Sequence, residues 1–93
     1  MRFLVVTVLA VSACASMAPL PQPTGPCAIT DAVRMRYIGV RYRELMRTVM
    51  EMDANARVSR ILRPDVPGSS DERNDRLDIL LDDHDQIDGL RCS

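Results

Sequence analysis

The chain contains no lysine and no tryptophan, and only two tyrosines, one phenylalanine and one histidine in 93 residues. With so few aromatics, any core is small and aliphatic and needs reinforcement. The single histidine leaves little room for nucleophilic catalysis. A Ser-His-Asp site would have to use His84, which sits in the acidic turn Asp82-Asp-His-Asp-Gln86, and there is no Gly-x-Ser-x-Gly elbow. Nor is there a glycine-rich phosphate loop. The cysteines form no Cys-x-x-Cys pair and no Cys/His cluster, which excludes a structural zinc site. Asp82, Asp83, Asp85 and Asp88 around His84 miss the spacing of a calcium loop, which needs oxygen ligands at its first, third and fifth positions and a glycine at its sixth. No cofactor is expected, and the chain reads as a binding protein rather than an enzyme.

What is present begins with an export signal. Residues 1–13 carry one charge at Arg2, an apolar run from Phe3 to Val11, and then small residues. That is a signal peptide, too short for a stable transmembrane helix. Leu9-Ala-Val-Ser-Ala13 before Cys14 resembles the bacterial lipobox, which implies that Cys14 becomes a lipidated first residue carrying acyl chains such as palmitate. Several acyl chains on one residue anchor stably. Ala15, where an aspartate would favour inner-membrane retention, points to an outer-membrane lipoprotein facing the periplasm. The alternative is ordinary secretion. Residues 14–26 hold four prolines among small and polar residues and read as a semi-rigid, extended tether.

Export makes sense of the odd cysteine count. With Cys14 acylated, Cys27 and Cys92 remain, one at each end of the domain spanning residues 27–93, in a compartment where disulfides persist. Closing that loop removes unfolded-state entropy worth about 4 kcal/mol. All the domain's cations are arginine, unevenly placed. Arg34 to Arg63 holds eight arginines against three acids, and Pro64 to Ser93 nine acids against three arginines. Export and a net charge of −1 argue against nucleic acid as a partner, so the charged stretches read as solvated faces.

The periodicity of the domain predicts an α+β fold. Thr30 suits an N-cap, Asp31 the first turn, and Ile29, Val33 and Tyr37 fall four apart before Gly39. A second helix is predicted over Arg41 to Asn55, with Tyr42, Leu45, Met46, Val49 and Met50 on its apolar face and Arg43, Glu44, Arg47 and Glu51 largely opposite. Met46, Met50 and Met52 read as core filling. Val58 to Leu62 and Leu77 to Leu81 then alternate as strands, and Ile87 to Cys92 makes a third after the acidic turn. The last two strands form a hairpin, and the long connection leaves the first two parallel or distant. That connection is too long for a hairpin turn and too polar for a buried element. Pro64 and Pro67 stiffen its leading side, and Arg73 and Arg76 stand where they can fold back as braces. A stiff, exposed segment on a small stapled scaffold suits presentation to another protein's cleft.

These features resemble a known family. An opening cysteine, a helix ending in Tyr37-Ile-Gly39, Arg-x-x-Arg-Pro at Arg60 to Pro64, Asp75-Arg-Leu-Asp-Ile79 and a closing Arg91-Cys92 are similar to the small bacterial and fungal elastase-inhibitor-like proteins, family seventy-eight of the peptidase inhibitors. That family looks like potato inhibitor I in fold. The resemblance implies a monomeric serine-protease inhibitor whose binding loop runs over Gly68, Ser69, Ser70, Asp71, Glu72 and Arg73. It places Ser70 in the protease's primary pocket, the scissile bond between Ser70 and Asp71, and Arg76 as the scaffold brace, with Arg73 a further donor to Asp71 and Ser69. The chain departs from the family at several positions. Gly68 stands where a β-branched residue is common and should loosen the loop. Ser69 replaces threonine and should pack less, Asp78 replaces asparagine (a second arginine in potato inhibitors) and should leave one brace missing or reversed in charge, and Ser93 replaces glycine. Two functions follow: a tethered inhibitor of elastase-like or subtilisin-like proteases, or an envelope lipoprotein interaction module with a decayed inhibitory loop.

Overall fold

The computed structural model describes residues 3–5, 21–66 and 68–93. Cys14 and most of the expected signal peptide and tether, as well as Pro67, lie outside the described residues. Among those described, no helix is long and apolar enough to cross a membrane.

The domain is α+β, with two short helices and one three-stranded sheet closed by the Cys27–Cys92 disulfide, whose Cα atoms lie 5.6 Å apart. Helix α1 is Asp31–Tyr37. Thr30 caps it, its hydroxyl accepting the Val33 N–H at 3.2 Å, and Gly39 ends it at φ +85, a conformation that side chains resist. Val33 and Tyr37 face the core, as their spacing requires. Arg34 ties the helix to the sheet by donating to the Leu90 carbonyl at 2.6 Å.

The predicted helix over Arg41 to Asn55 is corrected in both length and orientation. Arg41 instead bridges Gln86, a single 3₁₀ turn covers Glu44–Met46, and helix α2 is only Arg47–Asp53. Of the expected apolar face, Met50 is buried and Met46 half-buried, while Leu45 is 93% and Val49 52% exposed. The reason lies in the strand alongside. Strand β1 (Val58–Leu62) is at the sheet edge, where backbone groups lack a strand partner. Arg47 donates to the Ser59 carbonyl at 2.7 Å and to its hydroxyl at 2.8 Å, and that hydroxyl donates to Glu51 at 2.5 Å. Arg47 and Glu51 therefore turn toward β1 beside the buried Met50, and Leu45 and Val49 turn out.

Strand β2 (Arg76–Leu81) is central, parallel to β1 and antiparallel to β3 (Ile87–Cys92). Leu77, Ile79 and Leu81 point to the helices and form the core with Val33, Tyr37, Met50, Ala54, Ala56, Ile87 and Leu90. Pairing skips Asp88, since Leu80 faces Gly89 while Leu81 faces Ile87. Such a bulge lets residues three apart, Ile87 and Leu90, enter the same core. The other face of the sheet is different. The register places Arg60, Asp78 and Arg91 side by side across it, and Leu62 beside Leu80. Asp78 is completely buried there, although its polar place in an alternating strand suggests exposure.

Candidate functional site

The connection from β1 to β2 leaves the sheet through a turn in which Arg63 and Val66 exchange backbone hydrogen bonds and the Arg63 guanidinium pairs with Asp85. It returns through Asn74, whose carbonyl accepts the Cys27 N–H at 2.7 Å, and Asp75, whose carbonyl accepts the Arg57 N–H at 2.8 Å. The exit is thereby tied to both the disulfide and the start of β1. Between these anchors the chain passes over the second sheet face, and Gly68 lies directly on it. A Cβ there would stand 2.6 Å from Arg60 Nη1 and 2.7 Å from Leu62 Cδ2, inside the contact limit. The glycine expected to loosen the loop thus permits a close approach instead.

That approach brings Arg60 to the loop. Its Nη1 donates to the Ser69 carbonyl at 3.1 Å and to the Ser69 hydroxyl at 3.3 Å. On the other side of Ser70, Arg76 donates from Nη2 to the Asp71 carbonyl at 2.8 Å and from Nη1 to the Asp71 carboxylate at 3.2 Å. The Ser69 hydroxyl closes the gap by donating to the Asp71 carboxylate. This bond, and then Arg76, hold the Asp71 carboxyl below its usual pKa, so it stays ionised. Ser70, between the two held residues, is exposed, as is Glu72. Each flank of Ser70 is therefore fixed by a cation rooted in the sheet.

Of the residues singled out in the sequence, Gly68, Ser69, Ser70, Asp71 and Arg76 converge. Arg73 does not join them. Its guanidinium is occupied by Asp75, with two bonds of 3.0 Å, and holds that carboxyl's pKa below its ordinary value. The brace on the Ser69 side is Arg60, which the sequence reading used only as part of a motif. The alternation of β1 was the available signal, because it sets Arg60 on the face opposite Ile61. Asp78, where the sequence suggests a missing or reversed brace, instead lies beneath the loop as the seat of Arg60. Asp78 accepts from Arg60, Arg91 and the Ser93 hydroxyl. Burial opposes its ionisation, but the bonds from Arg60, Ser93 and Arg91 outweigh that, and its pKa falls below the ordinary aspartate value.

The acidic turn is occupied with its own geometry. Asp82 accepts the N–H groups of His84 and Gln86 at 2.8 and 2.9 Å, which builds the turn and lowers its pKa. Among the described residues the ligand atoms of Asp82, Asp83 and His84 also lie within 4.8 Å of one another. Asp83 and His84 are exposed, with His84 Nδ1 2.9 Å from Asp83 Oδ1. In comparisons with known proteins, no family model, no curated protein and no solved structure matches the chain.

Proposed function

We propose that the protein is an exported, membrane-tethered inhibitor of serine proteases of the elastase or subtilisin type, acting through the loop around Ser70. The observation that carries this reading is the pair of guanidinium groups, Arg60 on Ser69 and Arg76 on Asp71, that hold the backbone on both sides of an exposed Ser70. A peptide already held in place loses little further entropy on binding, so its contact energy emerges as affinity. If the bond between Ser70 and Asp71 is cut, both new ends stay fixed. Re-formation is then favoured over escape, by the same logic that gives tethered groups a high effective concentration. Serine is a small occupant for a primary pocket, which suits proteases that accept small residues. In this reading acyl chains on Cys14 anchor the protein in the outer membrane, and residues 14–26 hold a monomeric domain in the periplasm. The resemblance at Arg60 to Pro64, Asp75 to Ile79 and Arg91-Cys92 supports the same assignment.

A second reading is an envelope interaction module. It is favoured by the exposed apolar residues Leu45, Val49 and Met52, spaced at helical intervals along the 3₁₀ turn and α2. Titration of the purified, oxidised protein against pancreatic-type elastase and a subtilisin, followed by mass analysis, separates the two. Saturable inhibition with the Ser70-Asp71 bond intact or slowly nicked is the inhibitor's outcome. Rapid cutting in the loop without inhibition is the module's.

A further inference from the structure

Asp78 lies under the loop, fully buried in the central strand, and is a cross-strand partner of both Arg60 and Arg91. Its Oδ1 accepts Arg60 Nε at 2.7 Å and lies 3.5 Å from Arg76 Nε. Its Oδ2 accepts Arg60 Nη2 and Arg91 Nε, each at 3.2 Å, together with the Ser93 hydroxyl. Arg60 therefore spends two nitrogens on Asp78, and the third, Nη1, is the one that reaches Ser69. A guanidinium is planar and rigid, so seating one edge on a carboxylate aims the remaining nitrogen. Arg76 is set in a related way, with Nε on the Ser93 carbonyl at 2.8 Å and both Nη atoms on Asp71. Without the carboxylate, three guanidinium groups would crowd one small face and repel.

We propose that Asp78 is the positioning residue of the loop: among the described residues it makes no hydrogen bond to the loop, but it aims Arg60 at Ser69 and so fixes the chain on the leading side of Ser70. This deepens the inhibitor reading by giving one of its braces an origin. It rests on that reading for its effect on proteases, and its effect on loop order stands apart. Asparagine at this position would turn an N–H donor toward guanidinium donors, leaving Arg60 only partly seated.

The test compares the full chain with its Asp78→Asn, Arg60→Met and double variants. Two measurements are made: the rate of subtilisin cutting between Ser69 and Glu72, and amide exchange at Ile79 and Leu81 in the core as the control for global opening. Each single variant should be cut at least about tenfold faster in the loop, the worth of one charge-assisted hydrogen bond, with core exchange much less affected. The double variant should add nothing further, because one brace is lost either way. Should Asp78→Asn fail to fold, Asp78→Glu carries the test, since it keeps the charge under the arginines and shifts it by one methylene. Loop cutting in the folded Asp78 variants within about twofold of the parent, the scatter of neutral substitutions, would overturn the positioning role. So would loop cutting and core exchange accelerated by the same factor. A parent chain that inhibits neither protease, alongside an Asp78→Asn loop set free, would retire the inhibitor reading and leave the positioning role in place.

Discussion

Replacing Arg76 with methionine isolates the trailing side of the loop. Methionine keeps much of the unbranched apolar stem, so packing along β2 changes little, and what goes is the guanidinium. That group donates to the Asp71 carbonyl at 2.8 Å, to the Asp71 carboxylate at 3.2 Å and to the Ser93 carbonyl at 2.8 Å. Asp71 is largely exposed, so its charge pairing with Arg76 is screened and is left out of the magnitude. The bond to the Asp71 carbonyl is charge-assisted and sits against a buried donor, and such bonds contribute about 1.5–3 kcal/mol net. If that free energy serves to order the loop, its loss raises the populated fraction of open loop about 10- to 150-fold. Protease binding should weaken by a similar factor, and cutting at the loop should accelerate. The assay is inhibition of elastase and subtilisin by parent and variant, with mass analysis of the loop over time and urea unfolding as the control for global stability. An Arg76→Met protein that stays folded, inhibits as the parent does and is cut no faster would refute the bracing argument. A variant that loses only global stability would refute it too.

Three further outcomes follow from the same geometry. Gly68→Val should weaken inhibition, not tighten it, because its Cβ would displace Arg60 from Ser69; an inhibition constant equal to or better than the parent's would count against the close approach at this position. Replacing Cys27 and Cys92 together with serine should cost about 4 kcal/mol of stability, read as a lower urea midpoint, since the bond closes nearly the entire domain; a loss under about 1 kcal/mol would mean that the reduced chain keeps its ends together. Stability should also fall in acid. Asp78 has a pKa depressed in the folded state, so its contribution is complete above the unfolded value of about 4 and is lost as pH drops through the folded value. Unfolding midpoints from neutral pH down to acid should show a decline below about pH 4 that is shallower in Asp78→Asn, and parallel curves would exclude Asp78 as a source.

The sequence alone determined those features that depend on local pattern. The Thr30 cap, the Val33 and Tyr37 face and the stop at Gly39 are set within one helix, and alternation in Val58 to Leu62 and Leu77 to Leu81 specifies strands wherever they pair. Cysteine arithmetic likewise pointed to Cys27 and Cys92, the pair left once Cys14 is set aside as an expected lipidation position. The tertiary structure decided what depends on neighbours distant in the chain. The helix after Arg41 was shortened and rotated by an edge strand whose Ser59 needed Arg47 and Glu51. The parallel register of β1 and β2 set Arg60 beside Asp78, and the antiparallel register of β2 and β3 set Arg91 there as well. No spacing within one segment encodes that meeting. A lone aspartate in an alternating strand reads as a solvated residue, and it becomes a buried hub only when strands from three parts of the chain deliver the cations that make its burial tolerable.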